Sequence, residues 1–172
     1  RASAFATLKI YLLSKLMWDP DEDEDKLAER FVRGYYGEGA AGPMLEYLSL
    51  SAQAAQSAHM SLFDGVSAPY LSSTFVREGL RLMKLALDRA GDPVHIERIR
   101  REELSLRYVH LVSQPLDTPG RDALIDEFSA DALELGISEL FERREPEASF
   151  DCMKKSRYCT DRGSVPYTVY RI

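Results

Sequence analysis

The feature that most constrains this chain is a succession of six segments with apolar residues three or four positions apart, most of them closed by proline or glycine. In residues 4–18, Phe5, Leu8, Leu12 and Leu16 share one helical face while Ile10, Leu13 and Met17 fill its flanks, so this helix is expected to be buried on several sides. It ends at Asp19-Pro20, because a proline disfavours helical geometry in the residue before it. The second segment sets Leu27, Phe31 and Tyr35 four apart. Its acidic first turn, Asp21 to Asp25, suits the positive end of a helix dipole, and Gly37 supplies a stop.

A third helix is expected from about Ala41 to Phe63, using Met44, Leu48, Ala52, Ala55 and Leu62. Val76, Leu80, Met83 and Leu87 mark a fourth, ending at Gly91. Asp92-Pro93 then gives a cap with proline at the first helical position. The fifth helix carries Ile96, Ile99, Leu106 and Val109 on its apolar side, with Glu97–Arg101 and Glu103–Arg107 as four-apart ion pairs, and stops at Pro115. Thr118-Pro119 repeats the cap signal for a sixth helix through Leu124, Phe128, Ala132 and Leu135 to about Arg143. The expected fold is all-α, about six largely antiparallel helices in a bundle or stacked-hairpin array over residues 1–143. Residues 144–172 are expected to be an irregular tail packed on or extending from it, where the alternation of Val165, Tyr167 and Val169 has room for a short edge strand. The segments share no fixed-period consensus, which argues against a solenoid.

At 172 residues, with 45% hydrophobic and 29% charged residues, the chain can form one packed domain without staples. Its 22 Lys and Arg against 28 Asp and Glu give a net charge of −6, which argues against nucleic acid as a partner. No apolar run reaches the roughly 18 residues of a membrane span. The chain opens on Arg1 with residues 4–18 already reading as helix body, so it is expected to be an excised piece. Cys152 and Cys159 lack the further ligands of a zinc site; two free thiols are the leading expectation, a local disulfide the alternative.

The reactive constellations fail one by one. An EF-hand counted from Asp19 needs glycine sixth and glutamate twelfth, where the chain has Glu24 and Arg30. His59, His95 and His110 show no metal spacing, and His95-Ile96-Glu97 lacks the Pro-Cys-x-x-Cys half of a deaminase signature. There is no Glu-x-x-His repeat, nucleophile elbow or phosphate loop. No catalytic residue, metal ligand or cofactor is therefore assigned. Trp18, Tyr35 and Tyr36 are the candidate substrate-binding residues: a hairpin closing the first two helices at one end would form an aromatic platform for a sugar face. The competing reading makes Trp18 a junction plug and the tyrosines core caps.

The stretch LKIYLLSKLMWDPDEDEDKLAERFVRGYYGEGA resembles a bacterial family of uncharacterised domains in glycoside-hydrolase-like proteins, in which a helix ending Leu-x-Trp-Asn/Asp-Pro leads to an acidic turn and a helix ending Tyr-Tyr-Gly. RIRREELSLRYVHL is similar to a later part of the same family, and a related Trp-Asp-Pro element marks the region after the barrel in alpha-glucuronidases. The resemblance implies a non-catalytic accessory domain following a catalytic barrel upstream in the same chain, in a parent enzyme acting on polysaccharide or glycan at the periplasm, cell surface or outside the cell. A homodimer and a carbohydrate are further candidate partners. Trp18, Asp19 and Pro20 carry over as a helix-junction element. The alternative is a free-standing helical protein-interaction module.

Overall fold

In the computed structural model, residues 4–56, 58, 65–137 and 146–155 are described. They form helices α1 (Ala6–Trp18), α2 (Glu24–Tyr36), α3 (Glu38–Gln56), α4 (Ser73–Arg89), α5 (Pro93–Ser113), α6 (Arg121–Glu134) and α7 (Pro146–Lys155), with a 3₁₀ turn at Pro69–Leu71 before α4. The architecture is all-α, as the periodicity requires. Three helix starts carry side-chain caps: Asp23 accepts from Lys26 N–H at 3.1 Å, Ser72 from Phe75 N–H at 3.2 Å, and Asp92 from Val94 N–H at 2.7 Å.

Successive helices pack antiparallel, and particular side chains fix each register. Phe5 meets Tyr36 and Tyr11 meets Phe31 across α1 and α2, with ring centroids 6.1 and 5.2 Å apart. Tyr47 of α3 meets Phe75 of α4. At Gly79 a Cβ would lie 2.9 Å from Leu106 Cδ1 and 3.0 Å from Tyr47 Cε2, so the missing side chain lets α3, α4 and α5 close on one another. Tyr108–Phe128 joins α5 to α6, and Phe128–Phe150 joins α6 to α7. α5 is central: it packs against α2, α4 and α6 and buries Ile99, Leu104, Leu106, Tyr108, Val109, Leu111 and Val112 around its circumference.

Several boundaries differ from the sequence reading. α3 begins at Glu38 rather than near Ala41, and its expected extension to Phe63 runs into residues outside those described. Thr118-Pro119 does not cap α6. Arg121 N–H bonds to Thr118 O in a turn, and the helix starts after Gly120, at φ 78°. α6 stops at Glu134 rather than near Arg143, because Gly136 turns left-handed at φ 72° and Ile137 N–H closes back on Ala132 O, a glycine-ended stop that satisfies the last carbonyls. Residues 146–155, expected to be irregular, are helical: Phe150 and Met153, with Pro146 at the start and the buried Ser149 between, supply the short face that docks on α6. The candidate strand at Val165, Tyr167 and Val169 lies outside the described residues, as does Cys159. Cys152 is disulfide-bonded, which overturns the expectation of free thiols.

Candidate functional site

The three aromatic candidates do not share one platform. The antiparallel register of α1 and α2 puts Trp18 opposite the start of α2, whereas Tyr35 and Tyr36 sit at its far end, about 18 Å along a helix that rises 1.5 Å per residue. A hairpin joins the end of its first helix to the start of its second, so two helix C-termini cannot meet there. Trp18 is 92% exposed and plugs no junction, which overturns that half of the packing alternative, whereas the tyrosines do pack on the core. Tyr36 is fully buried. Tyr35 is half-buried, stacked on Phe31 at 4.8 Å and beneath the Arg98 guanidinium at 4.1 Å, while Arg98 also donates to the Tyr35 carbonyl. Its ring is already engaged within the protein.

The polar centre of the fold is Glu102 on α5. One carboxylate oxygen accepts from the Phe5 amide at 2.7 Å and the other from the Tyr36 hydroxyl at 2.9 Å. Phe5 is held at φ 52°, an uncommon geometry for a side-chain-bearing residue, and its ring packs on Tyr36 and Tyr47. Burial pushes the Glu102 carboxyl above its ordinary range, against the lowering effect of these donors and of Lys9 and Arg101. Burial likewise raises the Tyr36 and Tyr47 hydroxyls, so both stay protonated and Tyr36 donates to Glu102. A cavity of about 70 Å³ lies beside this node, lined in part by Tyr35, Arg98, Glu102, Ser105, Tyr108 and Phe128. Glu102 is the one carboxyl among its described lining residues. The signal for Glu102 is a carboxylate three residues after Ile99 and four before Leu106, within the apolar stripe of α5, which calls for buried donors from elsewhere in the chain.

A second polar network ties α6 to α5. Arg100 donates to Asp131 at 2.9 Å and to Glu134 at 2.7 Å, and Arg107 also bonds Asp131. Burial works to raise the Asp131 carboxyl, but the hydrogen bonds and charges of Arg107 and Arg100 outweigh it and hold it low. Of the two expected ion pairs on α5, Glu97–Arg101 forms at 3.0 Å, whereas Arg107 turns to Asp131 instead of Glu103. Arg121, only 1% exposed, donates to Leu111 O near the end of α5 and to Met153 O near the end of α7. The negative dipole ends of two helices thus receive its charge.

The acidic run is solvent-facing, with Asp23 as the α2 cap; the Lys26 amide that it accepts holds its carboxyl low. His95 is half-buried against Gly37, the exposed His110 shares a hydrogen bond with Gln114 at 2.7 Å, and His59 lies outside the described residues. Among the described residues no three His, Cys, Asp or Glu side chains converge in a metal-holding group, and no helix is long and apolar enough to cross a membrane.

Residues 1–49 match the model of a domain of unknown function, DUF4838. The match covers α1, α2 and the first part of α3. No curated protein and no solved structure matches the chain.

Proposed function

We propose that this chain is a non-catalytic helical accessory domain of a bacterial glycoside-hydrolase-like protein acting on polysaccharide or glycan, following an upstream catalytic barrel, at the periplasm, the cell surface or outside the cell. The observation that supports this reading is the employment of Glu102. Glycoside hydrolysis needs two carboxyl groups about 5–10 Å apart across a sugar bond. Here the carboxyl beside the cavity is committed to the Phe5 amide and the Tyr36 hydroxyl, and among the described residues no second carboxyl lines that cavity. Its work is to tie α1 and α2 to α5.

The purified chain, assayed on aryl glycosides and uronate-bearing oligosaccharides, is expected to show no turnover. Turnover abolished by Glu102→Gln or another single carboxylate change overturns the accessory reading. A second reading, a free-standing protein-interaction module, is favoured by an apolar groove of about 480 Å³ lined by Leu71, Val76 and Leu80 with His110, Gln114 and Pro115 of the α5 end. Coding sequence for alternating strands and helices directly upstream in the same reading frame decides for the accessory domain. A frame that opens directly before Arg1 decides for the module.

A further inference from the structure

α1 carries apolar side chains on two faces, inner and outer, with Lys9 and Lys15 among them, and only the inner face is covered. Its inner face, with Leu8 buried and Leu12 half-buried, packs on the rest of the fold. Its outer face carries Ile10 at 65% exposure, Leu13 at 62% and Met17 at 86%, one, two and three turns along a single stripe, with Trp18 at 92% beside its end. The expectation of burial on several sides therefore fails within this chain. Contiguous exposed apolar ridges of this kind mark contact surfaces.

Two further observations say what covers the ridge. The one polar side chain within it, Ser14, turns its hydroxyl back onto Ile10 O at 2.7 Å, so the stripe presents no polar group that must be desolvated without a partner. Directly after Trp18 come six carboxylates in seven residues, Asp19, Asp21, Glu22, Asp23, Glu24 and Asp25. Within this turn the one ion pair among the described residues is Lys26 with Asp23. A greasy ridge ending in concentrated negative charge is complementary to a surface that is greasy in the middle and positive at one end. It repels an anionic bilayer for the same reason.

We propose that the Ile10–Leu13–Met17–Trp18 ridge is a docking surface for a basic amphipathic protein segment, whose apolar side covers the ridge while its Lys and Arg side chains meet the Asp19–Asp25 turn. The proposal goes beyond the accessory reading and is independent of it, because it rests on one face of α1 and the turn that follows.

Trp18 is the chain's only tryptophan, so its fluorescence reports on this surface alone. The probe is an 18-residue helical peptide of leucine and lysine in amphipathic order, with a leucine and glutamate peptide of the same pattern as control. The lysine peptide is expected to shift Trp18 emission to the blue with saturation, and raising the salt from about 0.05 to 0.5 M should weaken it about tenfold or more, since screening shortens the reach of exposed charges. Leu13→Asp combined with Met17→Asp should weaken binding at least about tenfold, as loss of an apolar anchor does. The triple change Asp21→Asn, Glu22→Gln and Asp25→Asn should weaken it several-fold while the unfolding midpoint stays put. Equal binding of both peptides, no shift with the lysine peptide, or variants that bind like the parent overturn the proposal. So does a blue shift on phosphatidylserine vesicles, which makes the occupant a bilayer, or a dimer dispersed by Leu13→Asp, which makes it a second copy.

Discussion

Replacing Glu102 tests the node that joins the first two helices to the rest of the fold. Glu102→Leu keeps the volume but leaves the Phe5 amide and the Tyr36 hydroxyl without an acceptor, and both donors belong to buried residues. An unpaired buried donor costs about 1–3 kcal/mol, and removing a desolvated carboxylate returns part of that, so the net loss is about 2–4 kcal/mol. For a domain of this size a loss of that order lowers the thermal midpoint by roughly 5–15 °C. Glu102→Gln behaves differently. Its amide oxygen still accepts from Phe5, and its amide nitrogen donates to Tyr36 once that hydroxyl rotates, so the expected change is under about 1 kcal/mol. Because burial raises the Glu102 carboxyl, the native state holds its proton more tightly than the unfolded chain does. The parent protein is therefore most stable relative to Glu102→Gln below the ordinary carboxyl value of 4.5, and loses that advantage as pH rises through the higher native value. Far-UV circular dichroism of thermal and urea unfolding across this pH range measures all three proteins. A leucine variant within about 0.5 kcal/mol of the parent, or a glutamine variant as unstable as the leucine one, refutes the assignment of Glu102 as a satisfied two-donor acceptor.

Asp131 titrates in the opposite sense. Arg107 and Arg100 hold its carboxyl low, so its contribution is present above the ordinary value of 3.8 and is lost as pH falls through the lower native value; Asp131→Asn should cost about 1 kcal/mol at neutral pH and flatten the acid limb of a urea-unfolding series. Gly79→Val should destabilise by about 1–3 kcal/mol, because the new Cβ meets Leu106 and Tyr47 at 2.9 and 3.0 Å; a stability equal to the parent's would show that α3 and α5 yield there at no cost.

Legibility followed the range of the interactions. The starts of α2 and α5 were readable because their determinants are local: Asp23 and Asp92 bond amides two or three residues ahead, and Pro93 sits where its missing N–H does no harm. The end of α6 had an equally local signal in Gly136, but the apolar spacing Leu133, Ile137, Leu140 continues across it in the sequence and masks it. Thr118-Pro119 has the composition of a cap and serves a turn, since Gly120 supplies the positive φ from which α6 begins. α7 offers only Phe150 and Met153, beside Pro146 at its start, as buried apolar side chains, and its burial depends on α6 and on Arg121 reaching Met153 O. The Glu102 node joins residues 97 and 66 positions apart, so its donors could not be read from the neighbourhood of Glu102. The left-handed Phe5 is likewise set by contacts beyond its own segment.

The distribution of these long-range contacts bears on what residues 1–49 are. The family match stops inside α3, a helix that runs on to Gln56 and whose Tyr47 packs against Phe75 and the open space at Gly79 on α4. Within the matched segment, Phe5 and Tyr36 find their polar partner in Glu102, and Arg98, on the same helix, caps Tyr35. The inner face of the α1–α2 hairpin is thus completed by α3 and α5, all or part of which lie beyond the matched stretch. Within this chain residues 1–49 are accordingly one edge of a larger helical body, and their carboxylate anchor, Glu102, lies beyond the matched stretch. That edge has two faces. One is consumed by the fold through Phe5, Leu8 and Tyr36, and the other, from Ile10 to Trp18, is left bare beside a turn dense in carboxylates. Residues that neither build the core nor keep a surface wet are most simply accounted for by contact with another surface, and the exposed face of α1 is where such contact must be sought.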